Sequence, residues 1–378
     1  MSISLTPTWR PDGCASISLV LQGGGALGAY QAGVYQALHE AGLEPDWVAG
    51  VSIGAINSAL IAGNPRERRV ERLHHFWDTI TSRPISWLPG FDDASRMALG
   101  AWSSFMTTAL GQPGFFTPNV PSPWVSQAGS PTATAFYNTA PLAKTLAELV
   151  DFDLLNDGPV RYAAGAVEVL SGNFTYFDRQ DQRIGVEHVM ASGALPPALP
   201  MVQIGTDWYW DGGLVSNTPL QHVLEKGGNL DQLIFQVDLF SANGAMPRTM
   251  SDVLARQKDI QYSSRTRMVT DQIAAQHRRN QILKRVLDRI PPQHLTEEEA
   301  ALKEELREQA EVTILHLIYQ QAAYEGQAKD FEFSAETMRV HWHSGYRDAK
   351  ATLTHKEWLK MPEEFGGISV HDVHRPEG

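Results

Sequence analysis

The chain has 378 residues, 43% hydrophobic, 9% aromatic and 20% charged, enough to bury a sizeable core in one large domain or two unequal ones and too aromatic for wholesale disorder. A formal net charge of −12, from 31 Lys and Arg against 43 Asp and Glu, argues against a nucleic-acid partner. A single cysteine, Cys14, excludes a disulfide framework and a Cys-rich zinc site.

The first residues, MSISLTPTWRPDG, carry no basic segment followed by an apolar core, so no secretory signal is expected and the cytoplasm is the default location. Ser16 to Gln22 (SISLVLQ) is short, apolar and β-branched, the pattern of a strand in a covered parallel sheet. GGGALG follows at once. In the next run, AYQAGVYQALHEAG, Ala29, Ala32, Val34, Ala37, Leu38 and Ala41 fall at helical spacing and Gly42 supplies a stop. Trp47 to Val51 reads as a second strand and Ile53 to Ala62 as a second helix, ended by Gly63-Asn64-Pro65. The uncharged span from Trp47 to Asn64 approaches the roughly 20 residues of a membrane helix. Gly50, Ser52, Gly54, Asn57 and Ser58 interrupt it, and a strand, a sharp turn and a buried helix fit them better. Two strand–turn–helix units in succession predict an α/β sheet with helices on its faces.

From Met97 through Ala143 there is no Asp, Glu, Lys or Arg, while Trp102, Phe105, Phe115, Phe116, Trp124, Phe136 and Tyr137 are spread along the stretch. Neither period 2 nor period 3.6 persists, so the expectation is a long loop: an irregular insertion folded onto the core, or an apolar lid or acyl-chain wall. Thr139 is the expected N-cap of a helix reaching about Val150. Arg161 to Leu170 and Phe174 to Asp178 read as paired strands around Ser171-Gly172-Asn173. Trp208-Tyr209-Trp210 leads into Asp211-Gly212-Gly213, and Gln232 to Leu239 is another buried strand, after which the sheet is expected to close near residue 240. Beyond it the pattern turns helical. Ser251 to Ile290 carries nine Lys or Arg against four Asp, and Glu297 to Glu311 seven Glu against two basic residues, with Thr296 and Glu299 spaced as a capping box. The two segments are expected to pack on each other or on the sheet. The apolar stripe Ile282, Val286, Leu287 and Ile290 leaves a peripheral membrane contact open. A further amphipathic helix is predicted from Ser334. Its His341 and His343 have no Glu or Cys partner at metal spacing, so no metal is expected there.

Gly50-Val51-Ser52-Ile53-Gly54 matches the G-x-S-x-G nucleophile elbow, in which a strand turns sharply into a helix and presents a serine where little bulk surrounds it. Alone, it also fits a glycine-rich packing turn. Gly23-Gly24-Gly25-Ala26-Leu27-Gly28 satisfies the dinucleotide pattern G-x-G-x-x-G. That reading needs an acidic residue at the end of the second strand, yet Asp46 precedes the strand. The N–H groups of Gly24, Gly25 and Ala26, at a helix start, would instead serve as an oxyanion hole. For a base, His222, His188 and His74 are each candidates for a Ser-His-Asp triad, and Asp211-Gly212-Gly213 sets an acid at a strand end, although Asp-Gly turns are common.

Taken in this order, the Gly23–Gly28 loop, the Gly50–Gly54 elbow and Asp211-Gly212-Gly213 resemble the patatin-like phospholipase family, with Ala191 to Pro196 and Asn217-Thr218-Pro219-Leu220 as supporting segments, over about Ser16 to Leu239. The resemblance implies a three-layer α/β/α sheet domain at residues 14–240, with 97–143 as an uncharged lid or insertion. The remainder, 241–378, is similar to the mainly helical extension of a subset of bacterial members. It implies a Ser–Asp dyad of Ser52 as nucleophile and Asp211 as proton acceptor, an oxyanion hole at Gly24, Gly25 and Ala26, and motif glycines at Gly23, Gly28, Gly50, Gly54, Gly212 and Gly213. The implied activity is hydrolysis of a lipid or other apolar acyl ester, with no cofactor and no metal. The rivals are a non-catalytic lipid-binding or scaffold protein on the same fold and a dinucleotide-binding protein. The oligomeric state is open. An unperturbed Asp, with a pKa of roughly 3.9, is a weak base for an alcohol, so direct contact, a dry pocket and the electropositive glycine loop would all have to assist it.

Overall fold

Residues 6–81, 93–307, 310–321, 325, 329–362 and 367–372 are described by the computed structural model. The first half of the chain forms β1 (Ser16–Leu21), α1 (Ala29–Glu40), β2 (Trp47–Val51), α2 (Ile53–Ala62), α3 (Arg69–Thr79), α4 (Asp93–Leu110), the short pair β3 (Thr117–Pro118) and β4 (Tyr137–Asn138), α5 (Ala140–Leu149) and α6 (Phe152–Asp157). Then come β5 (Arg161–Glu168), β6 (Phe174–Asp178), α7 (Val186–Ser192), β7 (Val202–Ile204), β8 (Asp207–Asp211), α8 (Leu220–Lys226) and β9 (Gln232–Asp238). The last part holds α9 (Met250–Leu287), α10 (Glu297–Arg307), β10 (Val312–Ile318), α11 (Ala335–Thr352) and β11 (Ile368–Asp372).

The uncharged strands sit in the middle of the sheet because both of their faces are covered. The nine-stranded mixed sheet runs β11-β10-β9-β1-β2-β5-β8-β7, with β6 also paired to β5. Pairing is parallel from β11 through β5, whereas β6 and β8 run antiparallel to β5 and β7 antiparallel to β8. Leu21 lies in register with Gly50 on one side and Val237 on the other. The chain leaving β1 and the chain leaving β2 therefore emerge side by side at the carboxyl edge, next to the β1–β9 boundary where strand order reverses and α/β sheets form their ligand crevice. A large apolar cluster fills the face under α1, α2, α3, α5 and α7, and a smaller one, with Val20, Trp47 and Ile234, lies between the opposite face and α8.

Two expectations need correction. The sheet does not close near residue 240, because β10 pairs with β9 and β11 with β10. Val312–Ile318 (VTILHLI) is itself a strand-like run, hidden by the strongly acidic stretch before it, of which residues 308–309 lie outside the described residues. The uncharged stretch is not loop throughout, since α4 reaches Leu110. Its described portion is inverted: Ser104 and Thr107 are buried while Trp102, Phe105 and Leu110 are exposed, so an apolar-inside pattern is absent. Thr139 occupies the N-cap of α5, but the side chain of Asn138 accepts the N–H of Ala140, at 2.7 Å.

The capping box of Thr296 and Glu299 forms, and Ser334 caps α11. The span from Trp47 to Asn64 resolves into β2 and α2, and among the described residues no helix is long and apolar enough to cross a membrane. Helix α11 crosses α1 with backbone almost in contact. A Cβ on Gly33 would fall 1.9 Å from the Trp342 carbonyl oxygen and one on Gly345 1.9 Å from that of Tyr30, a crossing only glycine allows at both positions.

Candidate active site

Ser52 ends β2 and begins α2 with φ 57° and ψ −125°, the one non-glycine residue at positive φ among the described residues. Such a conformation is costly and persists only when its surroundings enforce it. Two glycines permit the turn: a Cβ on Gly50 would lie 2.2 Å from the Gly54 carbonyl, and one on Gly54 2.3 Å from the Leu21 oxygen. Ser192 then fixes it. The N–H of Ser52 donates to the Ser192 hydroxyl at 3.0 Å and to its carbonyl at 3.1 Å, and that hydroxyl donates to the Gly165 carbonyl at 2.6 Å.

Asp211 ends β8 and is buried, with Gly212 packed so closely on β5 that a Cβ would lie 2.6 Å from the Gly165 oxygen. Burial pushes its carboxyl up to about 6, while the Ser52 hydroxyl and the Gly213 N–H, both donating to it, hold it down. The Gly213 bond is 2.7 Å long. Among the described residues no cation compensates this carboxylate, so it retains basicity that an exposed Asp lacks.

Gly23 is clamped by Asn217, whose side-chain amide donates to the Gly23 carbonyl at 2.9 Å and whose own carbonyl accepts the Gly23 N–H at 3.2 Å. Leu27 N–H turns back to Gly24, and Gly25 adopts φ +55°. The N–H groups of Gly24 and Gly25 take no part in these bonds. Gly28 meets Ile53, where a Cβ would lie 2.5 Å from Cγ1, so loop and elbow are mutually wedged.

Gly23, Gly24, Gly25, Ser52, Asp211 and Gly213 open onto one cleft. Ala26 lies one residue deeper and is buried, with its carbonyl 3.4 Å from Nδ1 of His341. The cleft walls are apolar: Phe115, Phe116 and Tyr137 come from the uncharged stretch, and Leu199, Phe240 and Tyr262 from elsewhere. That stretch therefore forms a wall, with Trp124 and Val120 on its exposed side.

The candidate histidines are not brought to Ser52. Among the described residues lining the cleft there is no histidine. His222 bonds Asp178 at 2.8 Å and stacks on Tyr176, His188 accepts the Gly185 N–H at 2.9 Å, and His74 stacks on Trp342. Asp46 precedes β2, at the end of the sheet away from the glycine loop, where it pairs with Arg10 at 2.6 Å and accepts the Ile17 N–H at 2.8 Å, so it does not face a ribose beside that loop. His341 is fully buried while His343 is exposed, and no group of three or more His, Cys, Asp or Glu gathers among the described residues. The supporting roles of Ser192 and Asn217 were signalled only as segments of a resemblance. The residues of the C-terminal region on the cleft, Tyr262, Asp330, Phe331 and Phe333, had no local signal at all.

Residues 19–224 match the family model described as patatin-like phospholipase, and residues 260–364 match one described as patatin phospholipase. The chain is 25% identical over 248 residues to lysophospholipase NTE1 of Saccharomyces cerevisiae, covering 63% of this chain and 12% of that protein. It is 58% identical over 45 residues to neuropathy target esterase sws of Drosophila melanogaster, covering 12% of this chain and 3% of that protein. The chain thus spans a small fraction of the length of the curated relatives it matches. The solved structure of VipD from Legionella pneumophila covers 93% of this chain and 70% of its own, with a TM-score of 0.40 and 14% identity. With the first model alone matching more than half of the sequence, the chain belongs to the patatin-like phospholipase family.

Proposed function

We propose that the protein is a serine acyl hydrolase that cleaves carboxylic esters of lipids with a dyad of Ser52 and Asp211. The observation that carries this reading is a strained, half-buried serine beside a buried carboxylate, with no cation against it among the described residues, on one apolar cleft. Ser52 Oγ attacks the acyl carbonyl as its proton passes to Asp211. The oxyanion is received by the N–H groups of Gly24, Gly25 and Ala26, in line with the worth of such donors, about 3 kcal/mol each. Collapse returns the proton from Asp211 to the departing alkoxide and leaves an acyl-enzyme. Water, deprotonated by Asp211, then releases the acid and restores Ser52. No step calls on a metal or a cofactor.

The chemistry falls on residues 14–240, and the apolar cleft walls suit an acyl chain. The outward aromatics of the uncharged stretch, Trp102, Phe105 and Trp124, fit a peripheral contact with a lipid surface, where aromatic rings settle at the headgroup level. A fluorophosphonate probe and a panel of p-nitrophenyl and phospholipid esters test the reading. Labelling at Ser52, and hydrolysis lost in Ser52→Ala and Asp211→Asn but kept in His222→Ala, are expected. Absence of labelling in folded protein would favour a lipid-binding scaffold, and loss in the histidine variant would restore a triad.

A further inference from the structure

The C-terminal region reaches the cleft through a short turn at Lys329–Phe331, between β10 and α11. This turn packs on the Gly25–Gly28 turn that follows β1. The carbonyl oxygen of Asp330 occupies the place where a side chain on Gly25 would begin, 2.3 Å from a Cβ built there. Asp330 and Phe331 also line the cleft beside Ser52.

Two ion pairs tie the turn to α9, and they cross. Lys258 bonds Asp330 at 2.8 Å, and Lys329 bonds Asp259 at 2.7 Å. Lys329 also donates to the Gln321 side chain at 2.9 Å. Lys329 and Asp259 are both buried. Neighbouring residues of α9 and of the turn thus pair in opposite order. A slip of one residue would set Lys258 against Lys329 in one direction, or Asp259 against Asp330 in the other. A buried ion pair is an inefficient source of stability, because desolvating two charges offsets much of their attraction; what it fixes well is register.

We propose that the crossed pairs Lys258–Asp330 and Asp259–Lys329 form a clasp that positions the oxyanion loop, so that the C-terminal region is a working part of the active site. The clasp holds the Asp330 carbonyl against Gly25, and the left-handed turn at Gly25 sets the direction of the N–H groups that face the substrate oxygen. Lys258, Asp259, Lys329 and Asp330 are positioning residues. This inference rests on Ser52 and the glycine loop acting as proposed above.

The test compares Asp259→Asn with the double exchange D259K/K329D, which puts two cations on α9 and two anions on the turn and so keeps both pairs complementary. Steady-state kinetics use p-nitrophenyl acetate and a long-chain ester, and amide hydrogen exchange is followed over residues 23–28. Asp259→Asn is expected to lower kcat about 10- to 100-fold on both esters with KM within about 2-fold, as misplacement of a catalytic group does. Exchange over 23–28 should quicken, and the double exchange should recover most of both effects. Unchanged kcat and unchanged exchange in a folded Asp259→Asn variant would overturn the clasp, as would a loss confined to the long-chain ester or one that the double exchange fails to repair. If Asp259→Asn does not fold, Lys258→Met, which opens the outer and more exposed pair, is judged by the same outcomes. A wild-type protein that neither hydrolyses esters nor takes the probe refutes the hydrolase reading separately. The exchange of residues 23–28 in the variants then still decides whether the clasp holds the loop.

Discussion

Two buried aspartates, each ending a strand of the same sheet, have opposite chemistry. Asp178 ends β6, and although burial works against its charge, His222 and Arg161 bring its carboxyl down to about 2. Asp211 ends β8 with only a hydroxyl and an N–H donating to it, and burial carries it up to about 6. Depth is common to both, and partner charge separates them. A carboxylate matched by a guanidinium is spent on holding structure, and one left among neutral donors keeps its affinity for a proton.

The largest expected effect sharpens this contrast in activity. Ser52→Ala and Asp211→Asn should each lower kcat on a p-nitrophenyl ester by at least about 10³-fold, as removal of a nucleophile or its base does. Asp178→Asn should stay near wild type at a temperature where it is folded. Comparable losses in both aspartate variants would erase the distinction.

Stability should reverse the order. Removing one partner of a buried ion pair leaves the others uncompensated, so Asp178→Asn is expected to lose about 3–5 kcal/mol in urea unfolding. Asp211→Asn removes a carboxylate whose charged form is disfavoured by burial, and should equal or exceed wild type in the same titration.

The two groups also part on the pH axis. In the proposed dyad Asp211 must be ionised to accept the Ser52 proton, so kcat/KM should fall as pH drops through about 6, measured from pH 4 to 8. Asp178, with its folded pKa depressed, contributes stability that is complete above the ordinary carboxylate range and is lost as pH falls from there toward about 2. An acid limb that follows the melting curve would mean that unfolding, not Asp211, sets the profile.

The smallest effect concerns the elbow. Ser192→Ala removes one of two acceptors for the Ser52 N–H and should cost about tenfold in kcat, close to the 1.4 kcal/mol of one hydrogen bond. An unchanged kcat would mean that the Ser192 carbonyl and the flanking glycines suffice.

What could be read beforehand was whatever is written locally. The elbow, the glycine loop and the helices after them announce themselves within a few residues, because small residues, turns and apolar runs are short-range signals. The meeting of Ser52 with Asp211 is a long-range pairing across β5 and became legible only through resemblance to a family. The strand β10 was masked because its neighbours dominate any window around it. Helix α4 was missed because its buried positions hold Ser104 and Thr107, the reverse of the usual pattern. Lys258, Asp259, Lys329 and Asp330 look like ordinary surface charge until the fold places them face to face.

The crossing of Gly33 and Gly345 has a consequence for the order in which the protein is made. Helix α1 follows the glycine loop directly, yet its partner α11 is made long after it. Until then the Tyr30 hydroxyl, which bonds Asp348 at 2.8 Å, and the flat face at Gly33 lack these partners. Contacts of such sequence separation form late, after the entropy of closing a long loop has been met. A nascent chain therefore carries Ser52 on an unfinished scaffold until α11 has emerged. If Ser52 acts as proposed, esterase competence should appear only when α11 docks, a timing that ribosome-stalled chains of increasing length would display.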